Sequence, residues 1–385
     1  MLGDLAPLWM GLLILVASLI SLRFGISVAI IEILLGVFAG NVGLITPQEW
    51  MLYISSYGGI FLTFLAGAET DIHLMRQKLK ESLFIGLASF FMPLISVFLF
   101  TYYVAGWSFM ASLLSGVALS ETAVAVVYFV LAENDLFNTE VGKRLMAATF
   151  ITNMGTALAL SFIFLKPTIY TLLFFVISII VIILANKYSH VIFDNKRYKN
   201  KVIEPEIKYI FFLLLVFMGL AAVGGSQAIL PAFILGLFLG KHFVETSASM
   251  EVKKRMKTIA FAFITPIFFI VGGLKVSLPL VLTFLPIFLG ILIIRQVFKF
   301  LGLYYVTRRY LGEDYIYSTL LLSTGLTFGL IASLFGLSEG YIDSVQYSLL
   351  TGVLIASAVI PTFIAQKWFN PLHSEDLIDL NVEEE

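Results

Sequence analysis

Apolar stretches long enough to cross a bilayer, about 20 residues each, follow one another along almost the whole chain, and nothing else limits the fold as strongly. Thirteen are legible, near residues 6–23, 27–45, 52–70, 83–104, 108–131, 145–165, 168–186, 208–224, 227–240, 258–274, 279–303, 315–337 and 343–366. The ninth is the shortest. Between them the chain has too little polar surface to enclose a water-soluble domain: 13% of its residues are charged, against roughly 25% in soluble proteins. In hydrocarbon each backbone N–H and C=O must be satisfied within its own segment, so the expected fold is an all-α membrane protein of about 13 transmembrane helices. The longest polar connection, 186–208, is too short for a soluble domain, and the acidic tail 373–385 is expected to be solvated. Asp4 before the first span and Arg23 after it argue against a cleaved signal. The absence of Cys excludes disulfides and Cys-based metal sites, and no cofactor, nucleic-acid partner or enzymatic activity is expected.

Basic residues set the expected orientation. With the N-terminus outside, twenty of the 24 Lys and Arg fall in cytoplasmic connections. Only Lys166 and Lys275 fall outside, while Arg295 and Lys299 lie within a span. A single missed crossing would invert every later loop, so this asymmetry supports the span count and puts the C-terminus in the cytoplasm. The membrane expected is a prokaryotic plasma membrane.

Glu121 stands alone within the fifth span, in Gly116-Val-Ala-Leu-Ser120-Glu121-Thr122-Ala-Val-Ala-Val-Val. A carboxylate at mid-depth costs about 2.5–3.5 kcal/mol even on insertion scales, which marks it as a transport-site candidate.

The two halves of the chain also resemble each other. Ile33-Leu-Leu-Gly36-Val-Phe-Ala-Gly40 reads like Phe233-Ile-Leu-Gly236-Leu-Phe-Leu-Gly240, and Phe64-Leu-Ala-Gly67-Ala68 like Phe269-Ile-Val-Gly272-Gly273. Both pairs are seven spans apart, an odd number, so the copies have opposite orientation. The expected division is residues 1–166 and 207–369 as inverted repeats, 167–206 as a connector with its loop, and 370–385 as the tail. The same offset pairs Ser120-Glu121-Thr122 with Ser323-Thr324-Gly325-Leu-Thr327. If both helices unwind there, their ends cross and present carbonyl oxygens to a cation and N–H groups to an anion. Alternatively the hydroxyls bond carbonyls one turn earlier in ordinary helices.

These motifs bring a family into view. Ile31-Glu32-Ile-Leu-Leu-Gly36-Val-Phe-Ala-Gly40, Phe61-Leu-Thr-Phe-Leu-Ala-Gly67-Ala-Glu69-Thr-Asp71, Ala118-Leu-Ser-Glu121-Thr-Ala-Val-Ala-Val-Val, Ala232-Phe-Ile-Leu-Gly236, Pro266-Ile-Phe-Phe-Ile-Val-Gly272 and Ser323-Thr-Gly325-Leu-Thr-Phe-Gly occur in family order. The chain resembles cation:proton antiporters of the sodium/hydrogen exchanger superfamily, on the Kef- and NapA-like branch. Gly40-Asn41 departs from the usual Gly-Pro, with no functional consequence expected. The resemblance implies exchange of Na⁺ or K⁺ for protons, crossed interrupted helices and a homodimer. A carboxyl withdrawn from water can take up a proton, and a cation reaching the same oxygens displaces it.

The resemblance also implies an Asp in the sixth span, where this chain carries Asn153 beside Thr152. Asn offers a carbonyl oxygen to a cation but takes up no proton. Three accounts fit: an introduced mimic of a protonated acid, a natural residue with Glu121 as the relocated proton carrier, or a chain that no longer exchanges protons. Lys299 aligns with a family base and Arg295 lies one turn away on the same face. Either they partner the site or they snorkel to the interface. Glu69 and Asp71 suit a cytoplasmic cation entrance or an ordinary helix-end pairing, and Glu32 is expected to be paired structurally. Two alternatives stay open: a non-exchanging cation sensor or channel, and an organic-anion secondary transporter.

Overall fold

A computed structural model of the chain describes residues 5–24, 27–69, 79–133, 136, 139–165, 168–193, 204–240 and 247–369. Among these residues the secondary structure is helical throughout, with no strand. Ten helices are long and apolar enough to cross a membrane, and three shorter apolar helices are Val28–Asn41, Phe109–Ser120 and Ile229–Gly240. Together they reproduce the thirteen spans read from the sequence, and the short ones are the second, fifth and ninth. Asp71 lies outside the described residues, as does the tail 370–385.

The chain forms two compact units, each assembled from two separated segments. One takes Met1–His73 and Ala157–Pro279, the other Leu74–Thr156 and Leu280–Glu385. In the first, the helices are α1 (Ala6–Phe24), α2 (Val28–Asn41), α3 (Glu49–Glu69), α8 (Ile169–Phe193), α9 (Pro205–Gly224), α10 (Ile229–Gly240), α11 (Ser247–Ile259) and α12 (Thr265–Leu274). A π-helical segment, Ala260–Ile264, joins α11 to α12. The second unit holds α4 (Leu79–Tyr103), α5 (Phe109–Ser120), α6 (Val124–Glu133), most of α7 (Glu140–Ile163), α14 (Leu285–Tyr310), α15 (Tyr315–Leu322), α16 (Thr327–Ser338) and α17 (Ser344–Trp368). The short α13 (Leu278–Thr283) precedes α14.

Glycines let α2 pack on α12, and α3 on α10, at backbone contact. A Cβ on Gly36 would run into the Ile270 carbonyl and lie 3.0 Å from Gly273 Cα. One on Gly236 would run into the Phe64 carbonyl and lie 2.8 Å from Ala68 N, with Gly67 facing Phe233 and Leu237 in return. Without a hydrophobic drive between helices in lipid, close approach at small residues is what holds such pairs. The two contacts are mates under the internal inverted symmetry: Gly36 corresponds to Gly236, and Gly67 to Gly273. The sequence pairing with Gly272 is therefore one residue out of register. Asn41 closes the end of the first pair. Its Nδ2 donates to Val37 O and Val276 O, both at 2.8 Å, and its Oδ1 accepts from Leu278 N at 2.9 Å. The Gly40-Asn41 departure is thus a structural clamp between repeats.

The outer faces are apolar. Leu8, Leu12, Leu15, Leu19 and Leu22 of α1 are exposed, as are Leu172, Val176, Ile179 and Ile183 of α8. In water such faces would be a liability; in hydrocarbon they are the expected exterior.

Candidate functional site

Both helices expected to unwind do so, within the second unit. The fifth span breaks between α5 and α6, with Glu121 extended at φ −61°, ψ 163° after the last turn of α5. The twelfth breaks between α15 and α16, at residues 323–326. The two breaks are joined directly: Thr122 Oγ1 donates to Leu322 O at 3.0 Å and Ala123 N to Thr324 O at 3.4 Å.

Each break strands carbonyls at the end of a half-helix, where the helix dipole is negative. Two bases from α14, one turn apart on one face, meet that need. Arg295 spans both breaks: Nε donates to Leu119 O at 3.0 Å and Nη1 to Ser323 O at 2.8 Å, with a further bond to Gln296 Oε1 at 2.9 Å. Lys299 Nζ donates to Ser120 O at 2.8 Å, to the main-chain carbonyl of Glu121, and to Thr122 Oγ1 at 3.3 Å. Both are fully buried. The snorkelling alternative therefore fails: these bases cap broken helices.

Thr122 Oγ1 spends its one proton on Leu322 O and accepts from Lys299, so Ser89 Oγ, 3.2 Å away on α4, is its second donor. Ser89 was missed by the sequence reading. The available signal was the seven-residue spacing of Ser82, Ser89 and Ser96, all buried, along one face of an apolar helix. Gly325 matters for space, because a Cβ there would lie 2.5 Å from Arg295 Nη2 and 3.2 Å from Glu121 O.

The Glu121 side chain is fully buried. It faces the opening turn of α16, near the backbone N–H groups of Leu326 and Gly329, with Lys299 and Arg295 as the charges acting on it. Neither carboxyl oxygen closes a hydrogen bond of standard geometry among the described residues. A carboxylate at a half-helix N-terminus is favourably placed, and its oxygens remain open to a proton or a cation.

The other candidate residues sort differently. Ser120 Oγ bonds Val117 O at 2.8 Å, Ser323 Oγ bonds Thr319 O at 2.7 Å and Thr324 Oγ1 bonds Leu321 O at 2.7 Å. These hydroxyls do bond carbonyls of the preceding turn, as the alternative reading held, although the helices also break. Thr327 is half-buried in the first turn of α16. Thr152 of α7 bonds Ala148 O at 3.0 Å and Gly86 O of α4 at 3.4 Å. Beside it Asn153 is buried, with neither its carboxamide nitrogen nor its oxygen hydrogen-bonded. Glu69 belongs to the other unit and pairs with Lys257 at 2.6 Å. Among the described residues no group of three acidic, His or Cys side chains suits a bound metal.

The chain is similar to known proteins over most of its length. A family model described as "Sodium/hydrogen exchanger, transmembrane" matches residues 11–369. The chain is 26% identical over 360 residues to a probable Na⁺/H⁺ antiporter 3 of Methanocaldococcus jannaschii, covering 89% of each. It is also 26% identical over 387 residues to the Na⁺/H⁺ antiporter NhaS4 of Synechocystis, covering 91% of this chain and 93% of the relative. The fold matches the solved sodium proton antiporter MjNhaP1 of M. jannaschii with a TM-score of 0.68 at 16% identity, over 96% of this chain and all of that one.

Proposed function

Because the chain belongs to the sodium/hydrogen exchanger transmembrane family, we propose that it exchanges a monovalent cation, Na⁺ or K⁺, for protons by alternating access, with the Glu121 carboxyl as the exchanging acid. It is a transporter and not an enzyme. The observation that carries this reading is the division of labour at the crossing. Lys299 and the Nε and Nη1 of Arg295 are engaged, mainly by main-chain carbonyls, and only Nη2 of Arg295 is left over among the described residues, while neither buried Glu121 oxygen closes a hydrogen bond of standard geometry among them. The charged, empty carboxylate is the costly form in a buried site, so it is relieved by a proton or by a cation and not by both. The bases neutralise the half-helix ends in either state. The unpaired Asn153 carboxamide contributes a neutral oxygen to the cation and takes no part in proton uptake. The same geometry weakens the organic-anion reading at Lys299, whose ammonium already has three acceptors.

The proposed repeats are residues 1–166 and 207–369, and the proposed assembly, supported by the family resemblance, is a homodimer. The proposed orientation, N-terminus outside and C-terminus cytoplasmic in a prokaryotic plasma membrane, is supported by the distribution of Lys and Arg. Single cysteines introduced into this Cys-free chain and probed with an impermeant maleimide test it, and labelling of residue 340 from the cytoplasmic side would refute it.

The central experiment is flux in proteoliposomes with an imposed pH gradient. Added Na⁺ or K⁺ is expected to move protons in the wild type and in Asn153→Asp, and not in Glu121→Gln. Robust exchange by Glu121→Gln ends the reading. So does a silent wild type awakened by Asn153→Asp, which would identify an inactivated site.

A further inference from the structure

A second buried carboxyl has no partner among the described residues. Glu32 lies one turn into α2 and only 2% of it is exposed. It forms no hydrogen bond or ion pair among the described residues, so the structural pairing expected from the sequence is absent. No other residue of α2 is ionisable. The helices packed on α2 are α1 and α12. α12 has no ionisable side chain, and Lys275 follows its last residue. α1 has only Arg23, in its last turn, exposed and 6.0 Å from the Phe24 ring. A residue kept only for packing would be apolar here, because an unpartnered buried carboxylate is expensive. Glu32 is 2% exposed, whereas Glu121 is fully enclosed.

We infer that Glu32 is a second ion-binding carboxyl, in the unit that does not contain the crossed helices, occupied in turn by a proton and by a monovalent cation. Burial without a partner makes the empty anion the unfavourable state, and a proton or a small cation relieves it. A proton and a desolvated monovalent cation are the occupants such a site admits: among the described residues no second acid stands on α2, α1 or α12 to hold a divalent ion. The identity of the cation rests on the exchanger reading above; the site itself does not depend on Glu121 being the carrier.

The test is chemical modification of the full-length protein in lipid vesicles with dicyclohexylcarbodiimide: a protonated carboxyl reachable from the membrane adds across its C=N bond, and the O-acylisourea formed rearranges to a stable N-acylurea. Peptide mass spectrometry then scores Glu32 and Glu121 separately. Glu32 is expected to be modified, and severalfold more slowly in NaCl or KCl than in choline chloride at equal ionic strength. It should behave in the same way in a Glu121→Gln background. An unmodified Glu32, or one modified at equal rates in all three salts, overturns the proposal. In flux assays Glu32→Gln is expected to raise the half-saturating cation concentration severalfold, with Glu32→Asp restoring most of it. An unchanged value also overturns the proposal. Should Glu32→Gln fail to fold, the wild-type modification rates decide alone. Failure of exchange in every variant with cation-sensitive modification of Glu32 would sink the Glu121 mechanism and leave this site standing.

Discussion

Three buried charges sit around one crossing because each finds the end of a dipole that suits it. Arg295 and Lys299 meet the carbonyl ends of α5 and α15, and Glu121 meets the N–H end of α16. Removing a donor therefore costs more than a charge. Arg295→Lys keeps the charge but not the fork, and one ammonium cannot serve both Leu119 O and Ser323 O. The loss of a hydrogen bond from a charged donor is expected to lower stability by about 1.5–3 kcal/mol, read as a lower unfolding temperature in detergent. Thr122→Val removes the acceptor of Ser89 and of one Lys299 N–H together with the donor to Leu322 O, with an expected cost of about 1–3 kcal/mol. Thr122→Ser keeps the hydroxyl and should retain most of the stability. A loss confined to Thr122→Ser would show that packing of the methyl group, and not the hydroxyl, matters there.

Helices here are shaped by neighbours distant in sequence, which explains what the sequence disclosed and what it hid. The thirteen spans were legible because apolar length is a local property, and the repeat because its glycines are. The extent of each break was not. Leu119, Ala123 and Val124 are ordinary residues for a membrane helix, and the groups that receive the freed carbonyls come from α14, more than 170 residues away. The π-helical turn before α12 left no sign for the same reason. Nor did Asn41 announce that it bonds across 235 residues. Glycine contacts give the element-scale prediction. Gly36→Ala and Gly236→Ala each drive a methyl into a facing carbonyl, with an expected cost of about 1–3 kcal/mol from overpacking. Gly11, whose Cβ would meet nothing within 4 Å, is the control. Gly11→Ala should leave thermal stability unchanged, and comparable losses at all three sites would remove the close-packing argument.

Across the whole molecule, the division into sequence halves and the division into compact units do not coincide. Spans 1–3 join spans 8–10 in one unit, and spans 4–6 join spans 11–13 in the other. The α2–α12 and α3–α10 pairs each unite one helix from either half, and Arg295 and Lys299 of the second half hold the break that carries Glu121 in the first. Neither half alone can therefore complete either unit. A chain ending after Phe193 would leave Gly36 and Gly67 without their partners and the α5 carbonyls without bases. A chain starting at Glu204 would leave the buried Lys299 without its acceptors and Arg295 without Leu119 O, a loss of several kcal/mol against a total stability of about 5–15 kcal/mol. Expressed separately, each half is expected to be degraded or to aggregate. Coexpressed, they are expected to copurify through a tag on one of them and to regain cation-dependent proton flux, since every severed contact can re-form in the membrane. A half that is monodisperse and protease-resistant by itself would mean that the repeats, and not the interleaved units, are the bodies that fold.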